Sequence, residues 1–129
     1  MSLNDRPFGK FLRSDNDFHL PIGITVYVPS TKNKSEYIGR VAFDRRIKFV
    51  DDRLRRMFGG FTTISGRGGY TADNGKVIEE RVAKVTTYVK KGEYIKKQKE
   101  LLGFIRYLKT KFGQESIGYE IEGDLHYIS

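Results

Sequence analysis

Arg67, Tyr70, Glu80 and Glu115 are the side chains whose types could do chemistry together. A cation, a phenol and two carboxylates around one pocket could bind a small molecule and move a proton on it. They support the expectation of an enzyme with a pocket between a sheet and a hairpin. The neighbouring motifs are less specific. Gly66-Arg67-Gly68-Gly69-Tyr70 has the glycines of a phosphate loop, but it lacks the trailing Lys-Ser/Thr and leads into a hairpin rather than a helix. A glycine-rich hairpin or bulge accounts for it better. Glu79 and Glu80 are adjacent on a strand pattern and therefore point to opposite faces. His19 and His126 are the only histidines, at no metal-ligand spacing, and there is no cysteine. Asp124 beside His126 is a weak acid–base pair at the end of a sheet. No catalytic residue is assigned, and no metal or cofactor is expected.

The elements that position these residues follow from periodicity. Residues 1–21 form an N-terminal arm with Phe8, Phe11, Leu12 and Phe18 among charges, punctuated by Pro7 and Pro21. Residues 22–129 form a single domain. Ile24 to Val28 alternates and is rich in β-formers, which predicts a first strand. Pro29 and the polar run to Glu36 read as a loop. From Asp44, with Asp44 as N-cap, Ile47, Val50, Leu54, Met57 and Phe58 share one helical face, joined by Phe43 if the helix begins early. Gly59 closes it. Phe61 to Ser65 is a short strand, Gly66 to Gly69 a loop, Asp73-Asn74-Gly75 a turn, and Val77 to Val89 a long strand. A second helix runs over about Glu93 to Phe112, with Tyr94, Leu101, Ile105, Leu108 and Phe112 on one face. Ile117, Tyr119 and Ile121 alternate in a fourth strand, and Leu125 to Ile128 can add a short fifth. The order β-α-β-β-α-β predicts an α+β, ferredoxin-like fold, a four-stranded antiparallel sheet with both helices on one face.

Charge is unevenly spread over the 129 residues. The formal net charge is +8, with residues 44–58 contributing +3 and residues 90–111 contributing +6, so the two helices hold the whole surplus. Arg45, Lys48, Arg53, Arg56, Lys96, Lys99 and Arg106, with Phe49 set opposite the apolar stripe, could form a basic surface for DNA or RNA. Two solvated helix faces, with the arm covering Phe49, explain the same residues. Val26-Tyr27-Val28 is similar to the first strand of RNA-recognition domains, but Tyr88 alone is available to stack on the long strand. No segment is apolar enough to span a bilayer, and residues 1–18 lack the apolar stretch of a signal peptide, so a cytoplasmic protein is expected.

From the first helix onward the chain resembles a family of small bacterial domains of unknown function with a ferredoxin-like fold. Phe58-Gly59-Gly60-Phe61-Thr62, Gly66 to Tyr70, Gly75, Glu80 and Lys111-Phe112-Gly113-Gln114-Glu115-Ser116 carry the resemblance. It implies a fold and no activity. The chain departs from the pattern in its arm, its basic helices, and Tyr70 in place of an expected tryptophan.

The leading expectation is a non-enzymatic binding or assembly domain that dimerises with itself through the sheet. With both helices on one side, the face of Thr25 and Tyr27, or alternatively of Ile24, is left for a partner, together with Glu80, Val82, Thr86 and Tyr88. Nucleic-acid binding through the helices is the alternative, and a small-molecule enzyme the third.

Overall fold

The computed structural model describes residues 20–33 and 35–129. The arm's Phe8, Phe11, Phe18 and His19 lie outside the described residues. The elements are β1 (Ile22–Pro29), β2 (Thr31–Lys32), β3 (Glu36–Tyr37), α1 (Arg40–Phe58), β4 (Thr62–Thr71), β5 (Val77–Val89), α2 (Lys91–Lys111), β6 (Ile117–Ile121) and β7 (Asp124–Ile128). The main sheet has the order β4-β5-β1-β6-β7, antiparallel throughout. Its first four strands are the ferredoxin-like arrangement, and β7 is the added edge strand.

Alternation decides the two faces of the sheet. Ile24, Val26 and Val28 of β1 lie opposite Thr87, Val85 and Ala83 of β5, and all six are buried on the helix side. α1 adds Phe43, Val50, Leu54 and Met57 to this core, and α2 adds Leu101, Phe104, Ile105 and Leu108. The intervening residues of β1 and β5 therefore face away from the helices.

Four local readings are corrected. α1 begins one turn earlier than Asp44 because Phe43 belongs to the buried stripe; Gly39 is the N-cap, and Asp44 instead faces Arg40 at 4.0 Å. The glycine-rich stretch is strand, not loop: Gly66 to Gly69 pair with Val82 to Glu79. Cross-strand hydrogen bonds to the long strand β5 outweigh the weak strand propensity of glycine. The loop after β1 contains a small β2–β3 ladder, in which Thr31 pairs with Tyr37. Finally, Phe49 does not face outward. Its ring lies 6.0 Å from Phe104 and 6.2 Å from Tyr107, so α2, packed beside α1, covers it.

Arg46 ties the layers together. One guanidinium nitrogen donates to the carbonyls of Pro29 and Thr31 at 2.8 Å each, and the other to Phe112 at 3.1 Å. The guanidinium also lies 4.6 Å from the centroid of the Phe112 ring. Gln114 reinforces the joint by donating to the carbonyls of Thr31 at 2.5 Å and Phe112 at 3.0 Å. At the far end of α1, Lys97 of α2 donates to the Met57 carbonyl at 2.5 Å. Among the described residues, no helix is long and apolar enough to cross a membrane.

Candidate functional site

The sequence-predicted pocket does not assemble as one site. Arg67 lies opposite Arg81 on the helix side of the β4–β5 hairpin and meets Glu79 at 3.8 Å. Tyr70 and Glu80 belong to the other side, where Tyr70 is 55% exposed near the hairpin end. Glu80 accepts a 2.8 Å hydrogen bond from the Thr31 hydroxyl. Glu115 sits in the α2–β6 connection, next to Gln114, which also reaches Thr31. So Glu80 and the Glu115 loop share a corner, while Arg67 points away from it.

The proposed basic surface is also divided. Arg53 is half-buried and stacks on Phe104 at 5.0 Å and Phe49 at 5.8 Å. Lys48 faces Asp52 at 3.6 Å. Arg45, Arg56, Lys96, Lys99 and Arg106 are solvated. Phe49 and Arg53 thus serve helix–helix packing rather than an external contact. His126 stacks on Tyr119 at 5.2 Å on the β6–β7 edge. No group of three or more metal-ligating side chains occurs among the described residues.

Another cluster lies on the sheet face turned away from the helices. Tyr27 of β1, Lys84 of β5 and Glu120 of β6 occupy the three central strands. The Tyr27 hydroxyl donates to Glu120 Oε2 at 2.8 Å, and Lys84 Nζ lies 3.3 Å from the same oxygen. Lys84 Nζ also stands 5.3 Å from the Tyr27 ring centroid. Beside them, the Thr25 and Thr86 hydroxyls are hydrogen-bonded at 2.8 Å. Tyr88 and Tyr127 flank the cluster, 56% and 65% exposed. Their rings lie on glycines: a Cβ on Gly23 would stand 3.1 Å from Tyr88, and one on Gly118 would stand 3.2 Å from Tyr127 and 3.4 Å from Tyr27. Glycine at these strand positions lets aromatic rings lie on the backbone. The result is a carboxylate hydrogen-bonded to Tyr27, with a cation already over the Tyr27 ring and Tyr88 and Tyr127 on the same face, a setting suited to an organic cation.

The electrostatics agree with that geometry. Burial, and then the hydrogen bond to Glu120, pushes the Tyr27 phenol above its ordinary value, so it stays a neutral donor. The hydrogen bond to Glu120 holds the Lys84 ammonium above its ordinary value, against the opposing effect of burial. The folded protein therefore keeps both protons longer than the unfolded chain does. The stability these groups contribute is complete below their unfolded values and drains away as pH rises through the folded ones. Urea midpoints should hold steady from neutrality to about pH 9 and fall above about pH 10. A Tyr27→Phe, Lys84→Met double variant should lose part of that slope, the remainder belonging to groups such as Tyr94, whose phenol burial also raises. An unchanged slope would contradict the assignment.

Sequence reasoning placed Thr25 and Tyr27 on a sheet face but missed Lys84 and Glu120. Their signal was present as charged residues at alternating positions among β-formers, Lys84 between Ala83 and Val85 and Glu120 between Tyr119 and Ile121. Two clefts of about 440 and 430 Å³ lie away from Tyr27, Lys84 and Glu120, one by Arg56, Gly59 and Lys97 with Tyr88 at its rim, the other by Tyr37, Arg40 and Arg81. Lys97 in the first is already engaged by Met57 and Glu93. The Tyr27–Glu120 face is the better candidate because its polar atoms converge on one carboxylate.

Solved structures share this fold. A phage SAM lyase in complex with S-methyl-5′-thioadenosine aligns at a TM-score of 0.62 and 15% identity, covering 91% of this chain and 95% of that one. A phage SAM lyase in the apo state aligns at 0.55 and 15% identity, over 84% and 88% of the two chains. No protein-family profile matches the chain, and no curated protein does. The alignment overturns the expectation of a non-enzymatic assembly domain, because an enzyme carries this fold over nearly its whole length. The mixed apolar and polar face on which that expectation rested holds the Tyr27–Lys84–Glu120 cluster.

Proposed function

We propose that this protein is an enzyme that cleaves S-adenosylmethionine (SAM) at its sulfonium and releases S-methyl-5′-thioadenosine. The observation that carries the reading is Glu120, a largely buried carboxylate (19% exposed) held at the centre of the outer sheet face by Tyr27 and Lys84. The fold likeness to a SAM lyase supplies the substrate class. A sulfonium is a permanent cation whose charge spreads over its carbon substituents, so a carboxylate backed by aromatic rings is the appropriate receptor. The substrate's own carboxylate attacks the carbon bonded to sulfur and closes a lactone as the C–S bond breaks, with the electron pair staying on sulfur. The thioether leaves neutral, and no proton is taken from or given to the protein. Glu120 would hold and orient the cation, Tyr27 would fix the carboxylate and offer its ring, and Tyr88 and Tyr127 would exclude water from one side. A cytoplasmic setting belongs to the same proposal.

The test is incubation of the purified protein with SAM and chromatographic detection of S-methyl-5′-thioadenosine. Release in proportion to protein and time is expected. Release no faster than spontaneous decomposition would remove the proposal.

A further inference from the structure

We infer that Lys84 is the built-in occupant of a cation subsite formed by the Tyr27 ring and the Glu120 carboxylate, and that a sulfonium ligand binds by displacing it. The inference rests on the reading of this face as sulfonium-binding. An organic cation is recognised by two things, an anion in contact and an aromatic face within about 6 Å. The Lys84 ammonium has both, at 3.3 Å from Glu120 Oε2 and 5.3 Å from the Tyr27 centroid. The structure thus already shows the subsite filled by a cation, and the cation is the protein's own.

The receptor and its occupant differ in mobility. Tyr27 is fixed through its hydroxyl to Glu120 at 2.8 Å and lies against Gly118, while the Glu120 side chain is only 19% exposed. Lys84 is 47% exposed and sits on a flexible four-carbon stem, so it can swing into solvent without disturbing the strands. An ion pair this exposed is weak, so its displacement lowers ligand affinity only a few-fold. The same exchange discriminates substrate from product. A sulfonium competes with the ammonium for the carboxylate. The neutral thioether left after C–S cleavage does not, and Lys84 can reclaim Glu120 as the product leaves.

Calorimetric titration of the wild type and a Lys84→Met variant tests this with three ligands: SAM, S-adenosylhomocysteine and S-methyl-5′-thioadenosine. The first carries the sulfonium, and the other two carry a neutral thioether. Lys84→Met should tighten SAM binding about fivefold, the scale of an exposed ion pair. It should leave both thioethers within about twofold. Unchanged or weaker SAM binding, or an equal shift for all three ligands, would overturn the inference. Trimethylsulfonium, followed by NMR at the Tyr27 ring, separates the subsite from the reaction. Tighter trimethylsulfonium binding in Lys84→Met, in a protein that cleaves no SAM, keeps the subsite and removes the proposed reaction. SAM cleavage with unaltered affinity in the variant does the reverse. No trimethylsulfonium binding to either form also overturns the subsite.

Discussion

Glu120→Gln should lower kcat/KM for SAM cleavage about a hundredfold, with most of the loss in KM. The amide keeps the shape of the side chain and can still accept from the Tyr27 hydroxyl, so the three central strands should stay as they are. What disappears is the negative charge that meets the sulfonium. Removing one member of a largely desolvated charge pair costs about 3 kcal/mol, or about a hundredfold. Because the contact forms on binding and persists to bond breaking, its loss should appear chiefly as weaker binding. Affinity for neutral S-methyl-5′-thioadenosine should change by no more than about threefold. Steady-state kinetics and a product titration on the same preparation check both halves. Wild-type kinetics in this variant would show that Glu120 does not face the substrate.

Arg46→Ala should be the most destabilising single substitution of a charged residue, costing about 3 kcal/mol and lowering Tm by about 10 °C. The side chain donates to three carbonyls from three segments: the end of β1, β2, and the residue after α2. It also covers the buried Phe112 ring. Alanine would remove all of this at once. Gln114 would still serve the Thr31 and Phe112 carbonyls, which sets a ceiling on the damage. Arg46→Lys keeps the charge but not the fork, and should recover less than half of the loss. Thermal unfolding of the three proteins is the check. A Tm for Arg46→Ala within about 2 °C of the wild type would mean that the joint is not under load.

The fold was largely legible because its strongest periodicities are local. Val77 to Val89 is dense in β-branched residues and forms β5 with the expected bounds. Ile47, Val50, Leu54 and Met57 mark the inner face of α1 whatever its first residue. Where local preference and tertiary pairing disagree, pairing prevailed, as in Gly66 to Gly69, which lie in β4 because β5 is long enough to hold them. Phe49 reads as outward on a single helix and becomes interior only when α2 is laid alongside. The site was much less legible. Tyr27 and Glu120 are 93 positions apart, and their hydrogen bond exists only because β6 returns beside β1 in one register. Lys84 joins them through a separate pairing of β1 with β5. A one-residue slip in either ladder would turn the side chain to the helix side. No spacing along the chain encodes that meeting. Arg67, Tyr70, Glu80 and Glu115 failed as a group for the same reason: alternation sends Arg67 to one face of the hairpin and Glu80 to the other.

The most direct test of the central claim is an experimental structure with S-methyl-5′-thioadenosine bound. The account predicts the ligand on the outer sheet face, its thioether sulfur within about 6 Å of the Tyr27 ring, beside the Glu120 carboxylate. Density for the ligand in the cleft by Arg56 and Lys97, in the cleft by Arg40 and Arg81, or nowhere at saturating concentration would contradict it.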